Sequence, residues 1–261
     1  MTHDDVRSDV IVMDGAAVSF GELPSVISMH PVVEGPETAV EVVVADDAGG
    51  FCAVWEAQPG VYPRVKDKRG SAMLILAGDA VVTDGDGTPH EVHEGSVLVL
   101  PYRWEGQWNI RRTIRKVYIY SWPTAEPAQR PAKAVSSAGA DYATAPFETA
   151  LTAQVHLGSL PDLAAEVISD GVDGMCGIVR IAAGVHAVSP GQRWAYLYVQ
   201  AGSLSFRRGG NAPIAASAGA VVAVPRGWAG VVEVGADVSA FAFFTSEKRE
   251  DGTPSTLRSA P

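Results

Sequence analysis

Gly50-Phe-Cys-Ala-Val-Trp55-Glu-Ala-Gln-Pro-Gly60 decides the fold, because the chain says it twice. Slid forward by 124 residues it lies on Gly174-Met-Cys-Gly-Ile-Val179-Arg-Ile-Ala-Ala-Gly184, with Gly50 on Gly174, Cys52 on Cys176 and Gly60 on Gly184. The register continues without a gap to Ile110 on Val234. Ala77-Gly78 falls on Ala201-Gly202, Gly85 on Gly209, Gly95 on Gly219, Pro101 on Pro225, Trp104 on Trp228 and Gly106 on Gly230. Most matches are Gly and Pro, the residues a shared backbone retains, since Gly supplies positive φ at turns and Pro fixes φ. The cysteines stand on equivalent strands, which makes them a pair by ancestry and not by a disulfide. They read as small buried core residues.

Around this frame strand signals dominate. Val40–Ala45, Cys52–Ala57, Ala72–Leu76, Ala80–Thr83, Ser96–Leu100, Gln107–Ile110 and Lys116–Trp122 are strands by their content, and their equivalents recur in the second copy. Turns such as Asp84-Gly-Asp-Gly87 and Arg208-Gly-Gly-Asn211 separate them. Many short, evenly spaced strands predict an antiparallel sandwich or barrel. Helical spacing is confined to Phe147–His156 and Leu160–Ile168, predicted short helices in the linker region. The predicted division is an extension over 1–34 packing on the barrel, a first domain over 35–122, a linker over 123–159, a second domain over 160–245 and a polar tail over 246–261.

The chain has 261 residues, 47% hydrophobic and 19% charged, enough to bury a core. Its net charge of -10 argues against nucleic acid and anionic membranes as partners. No stretch approaches the roughly 20 apolar residues of a membrane span, and the N-terminus lacks the apolar core of a signal peptide. A cytoplasmic protein is the default expectation. Phosphate loops, Cys-x-x-Cys and Gly-x-Ser-x-Gly are missing from the sequence.

Trp55-Glu56-x-x-Pro59-Gly60, Leu76-Ala-Gly78, Glu94-Gly95-Ser-Val-Leu-Val-Leu-Pro101, Gly106-x-Trp108-x-Ile110 and Arg115-Lys116-x-Tyr118 together resemble the cupin superfamily, in its ethanolamine-utilisation and ureidoglycine-aminohydrolase-like branch. The resemblance implies an all-β chain of two tandem jelly-roll barrels, with a small-molecule ligand and a homodimer as partners. Metal-dependent cupins are similar to one another in a His-x-His, Glu and distal His set. Here the Glu position falls on Ser71, the His-x-His positions near Val65 and Asp67, and the last His on Gly106. In the second copy they fall on Ala195, Ser189, Gly191 and Gly230. No metal and no cofactor is therefore expected. His90-Glu-Val-His93-Glu94 reads as a solvated loop before Gly95.

Strand parity places Ser71, Met73 and Ile75 on one face, and Gly106 with Trp108. If that face is the barrel interior, Trp55, Arg64, Ser71, Met73 and Trp108 are candidate ligand-binding residues. Asp67, Tyr62, Tyr118 and His186 are the candidate catalytic groups. The equivalents in the second copy, Ala195, Leu197, Val199 and Val232, are apolar. A basic cluster, Arg64, Lys66, Lys68, Arg69, Arg103, Arg111, Arg112, Arg115 and Lys116, reads chiefly as a solvated face, part of which could frame an anion. The leading expectation is a metal-free double barrel binding a small metabolite, with an anion as one option, in its first barrel, and with the second largely structural. The alternatives are a metal-independent acid–base enzyme of isomerase, cyclase or lyase type, or a diverged hydrolase of the ureidoglycine-aminohydrolase kind.

Overall fold

In the computed structural model the described residues are 9–46, 50–121, 134–137, 153–155, 163–171, 174–191 and 193–245. They form eighteen strands and one short helix, α1 (Gly15–Ser19). The first half contains β1 (Ile11–Met13), β2 (Ser25–Ser28), β3 (Thr38–Asp46), β4 (Gly50–Ala57), β5 (Gly60–Val65), β6 (Ser71–Asp84), β7 (Pro89–His93), β8 (Val97–Leu100) and β9 (Glu105–Ser121). The second contains β10 (Val135–Ser137), β11 (Ala153–Val155), β12 (Leu163–Gly171), β13 (Gly174–Ile181), β14 (Gly184–Val188), β15 (Ala195–Arg207), β16 (Ile214–Ser217), β17 (Val221–Val224) and β18 (Gly230–Phe244). Among the described residues no helix is long and apolar enough to cross a membrane.

The strands make two antiparallel sheets with one topology, each wrapped into a two-layered jelly roll. One runs β10-β8-β6-β9-β4-β3-β2, with β5 on β9 and β7 on β6. The other runs β1-β17-β15-β18-β13-β12-β11, with β14 on β18 and β16 on β15. Two long strands in each unit serve both layers: β9 pairs with β4 through one end and with β5 through the other. They turn the corner at bulges, as strands that change sheets do. In β6 the register shifts around Ala77 and Asp79. Gly78 sits there at φ +88°, and a Cβ on it would lie 2.1 Å from the Thr113 carbonyl oxygen. Gly202 repeats this at φ +84°. The Ala-Gly pair shared by the copies is thus a corner-making device.

The repeat reaches further than its sequence signature. Residues 11–13 and 135–137 are also 124 apart, and each strand pairs with the other copy's barrel: β1 with β17, and β10 with β8. The copies exchange their first strands.

Three apolar clusters result. Met73, Ile75, Leu98, Leu100 and Tyr118 fill the first barrel, and Leu197, Val199, Val222, Val224 and Phe244 fill the second. Between the barrels lies a third, with Cys52, Val54, Leu74, Val97 and Val99 from one copy and Cys176, Ile178, Tyr196, Val221 and Phe243 from the other. Val97–Leu100 and Val221–Val224 read as unbroken apolar runs because each is buried on both faces. The two cysteines are free and buried in this middle layer, and burial pushes the Cys176 thiol up to about 12.

Several expectations need correction. Leu163–Gly171 and Ala153–Val155 are strands, not helix; the rest of the first predicted helix and residues 160–162 of the second lie outside the described residues. Ala72–Leu76 and Ala80–Thr83 are one bent strand, as are Gln107–Ile110 and Lys116–Ser121. His90 is in β7, not in a solvated loop, and its imidazole Nε2 lies 3.1 Å from Asp84 Oδ2.

Candidate functional site

The first barrel encloses a cavity of about 200 Å³. A space of about 150 Å³ takes up a benzene ring, so this one has room for a ring with a small polar substituent. Alternation along each strand explains its wall. In β9, Val117 and Ile119 face the layer between the barrels, so Lys116, Tyr118 and Tyr120 face inward, and all three line the cavity. Tyr62 and Arg64 do the same from β5, with Lys66 just beyond its end. Ser71 and Met73 come from β6, Trp55 from β4, and Ile27 and Ser28 from β2, followed by Met29.

Three basic side chains therefore face one aromatic-walled space. Arg64 donates to the carbonyls of Pro31 at 3.1 Å and Pro63 at 2.6 Å, and its guanidinium lies over the Tyr62 ring. No carboxylate pairs with it among the described residues. Lys66 Nζ lies 4.9 Å from the centre of the Tyr120 ring.

Lys116 is the residue sequence reasoning misplaced. It is buried, not part of a solvated face. Its Nζ sits 4.1 Å from the centre of the Trp55 ring, 4.3 Å from that of Trp108 and 5.7 Å from that of Tyr118, with no hydrogen bond or ion pair among the described residues. Two effects oppose each other there. Each ring face favours an ammonium by roughly 0.5–2 kcal/mol. Taking an unpaired ammonium out of water costs several kcal/mol, and Lys66 and Arg64 repel it further. The second outweighs the first: burial, then Lys66 and Arg64, hold the Lys116 amine well below the usual lysine range.

Tyr118 donates to Glu41 Oε2 at 2.6 Å, and burial first, with Tyr120 and Glu41, pushes its phenol upward. Tyr62 is raised by burial, with Arg64 opposing, and its hydroxyl donates to the Gln58 carbonyl at 3.2 Å. Ser71 Oγ is buried without a hydrogen-bond partner among the described residues.

The five candidate ligand-binding residues, Trp55, Arg64, Ser71, Met73 and Trp108, all line this one cavity. Of the four catalytic candidates, Tyr62 and Tyr118 line it too. Asp67 is not in its wall; the acid next to Tyr118 is Glu41. His186 lies in β14 of the other barrel, its Nε2 2.8 Å from the Ala182 carbonyl oxygen. The other basic residues divide. Arg111 pairs with Glu91, Arg112 with Asp79 and Arg115 with Glu56. Buried Arg115 also donates to the carbonyls of Val18 and Gly21, tying α1 to the barrel. Two-residue parity with Tyr118 was the signal that would have found Lys116. Glu41 gave none.

The metal set of cupins does not fit here. Of the corresponding first-barrel positions, only Ser71 stands in the cavity wall, which offers a hydroxyl, phenols and cations. Among the described residues no three His, Cys, Asp or Glu side chains come together as a metal would need.

Residues 44–118 match the family model of the EutQ-like cupin domain. No curated protein matches the chain. Solved structures match over nearly its whole length at low identity. A protein of Pseudomonas aeruginosa named as glyoxylate-induced is 14% identical with a TM-score of 0.61, over 99% of this chain and 96% of that one. Ylba of E. coli is 9% identical with a TM-score of 0.59, over 93% and 94%. Salicylate 1,2-dioxygenase of Pseudoaminobacter salicylatoxidans is 12% identical with a TM-score of 0.56, over 93% and 82%. At these identities the likeness shows the fold, and the fold is that of the cupins.

Proposed function

We propose that this chain, cupin in fold and carrying a EutQ-like cupin domain over residues 44–118, binds a small organic anion in its first barrel without a metal, its second barrel being structural. One observation carries the reading: Arg64, Lys66 and Lys116 converge on a cavity walled by Trp55, Trp108, Tyr118 and Tyr120. Arg64 and Lys116 have no acid beside them among the described residues. A carboxylate there would gain charge-assisted hydrogen bonds beside ring faces that lower the local dielectric. Its negative charge would also offset the repulsion between Arg64 and Lys66, which face the same space. The rings would take an apolar body, and the cavity volume limits that body to about one ring.

The test is calorimetric titration with 3-phenylpropanoate, with its neutral amide as control. The carboxylate should bind and the amide should not, and Arg64→Ala should weaken the carboxylate about tenfold or more. Equal binding of acid and amide, or no binding by a panel of aromatic and aliphatic carboxylates, would overturn the reading. Elemental analysis of protein purified without a polyhistidine tag tests the metal-free part. Near-stoichiometric Mn, Fe, Ni, Cu or Zn would refute it. A metal-independent acid–base enzyme is the second reading, favoured by the Tyr118–Glu41 hydrogen bond at the same cavity.

A further inference from the structure

We infer that Lys116 is a nucleophile, forming an imine with the carbonyl carbon of a 2-oxo carboxylic acid held in the first barrel. This rests on the anion-binding reading and deepens it. The geometry supplies each part. The amine faces the cavity from between Trp55 and Trp108, with no carboxylate among the described residues to hold it as a salt. Arg64, kept in place by the Pro31 and Pro63 carbonyls, faces the same space with donors for the carboxylate. Ser71 brings a buried hydroxyl without a partner among the described residues, suited to the oxygen of the addition intermediate. The lowered basicity of Lys116 favours the free amine that a nucleophile needs.

In the step, the Nζ lone pair bonds to C2 of the acid. The carbonyl oxygen takes up the two amine protons and leaves as water, and a C=N bond remains. Nothing is oxidised or reduced. A proton from solvent converts the imine to an iminium. That iminium draws electrons from the neighbouring C–H and C–carboxylate bonds, which is the chemistry of a metal-free lyase.

The experiment incubates the full-length protein with phenylpyruvate and sodium cyanoborohydride, and reads intact mass and then peptide mass. The expected result is a gain of one molecule of the acid less one oxygen atom, located on Lys116. It should be blocked by excess 3-phenylpropanoate and be absent from Lys116→Arg. Competition by 3-phenylpropanoate needs no variant, so a misfolded Lys116→Arg leaves the test intact. Calorimetric binding of both acids with no adduct, or with adduct on Lys66 or spread over other lysines, would overturn the imine and leave anion binding standing. Failure of both acids to bind would remove the two together.

Discussion

Carried forward by 124 residues, the cavity wall of the first barrel becomes the packed core of the second. Arg64 becomes Val188, Lys116 becomes Ala240, Tyr118 becomes Ala242, Trp108 becomes Val232 and Trp55 becomes Val179, and all five replacements lie in the second barrel's apolar cluster. The corner glycines and the buried strands are common to both. The same holds at the end that β10 and β1 close. Buried Asp84 accepts from Trp104 Nε1 at 2.7 Å, from Ala134 N at 3.1 Å and from His90. In the second copy the acid is replaced by exposed Arg208, His90 by Ile214, and Trp228 Nε1 has no partner among the described residues. One backbone has therefore been given two interiors, polar around a cavity in one copy and apolar in the other. On the proposed reading, the chemistry falls to the first barrel and the second is structural.

The largest test of that contrast puts the chemistry where the core is. Ala240→Lys should destabilise the second barrel by about 4 kcal/mol or more, since an unpaired amine would displace packed apolar groups; urea unfolding checks it. Asp84→Ala should cost about 3 kcal/mol, because it orphans the Trp104 indole, the Ala134 amide and His90 together. A midpoint within error of the wild type would show that this network is ornamental. Trp104→Phe and Trp228→Phe remove the same atoms from equivalent places, but among the described residues the first alone breaks a hydrogen bond. Trp104→Phe should be the more destabilising by about 1–2 kcal/mol, read as the difference between the two midpoint shifts. The finest test is of pH. Lys116 has a lowered pKa in the fold, so as pH falls below about 10.4 the unfolded chain takes a proton that the folded one refuses. Stability should rise with pH by up to about 1.4 kcal/mol per unit toward alkaline pH. Lys116→Leu should flatten that slope, and should be more stable than the wild type near neutrality. A parallel pair of profiles would show that Lys116 is charged in the fold.

The repeat, the two-faced burial of Val97–Leu100 and the inward set of Ser71, Met73 and Trp108 were legible because glycine turns and period-two alternation are local signals. Lys116 and Arg115 were not, because they were weighed as charge in a basic run and not by parity along β9. The strand at Leu163–Gly171 was missed for another reason. A bulge between Val167 and Ser169 breaks its alternation, and Leu163 and Val167, four apart among Ala and Glu, mimic a helix face. Pairing with β13 and packing of Ala165 and Val167 on the second core won over that local preference. The Tyr118–Glu41 contact joins residues 77 apart, which no spacing rule connects.

The exchanged first strands bear on how such a chain could have arisen. With a single copy, the same pairing at the edge of β8 would come from a second molecule, by mutual loan of two N-terminal strands. Joining two copies end to end makes that loan internal. A meeting that depended on protein concentration becomes one that depends on tether length, so dilution no longer separates the partners, and each half is then free to drift in sequence while still matched to the other.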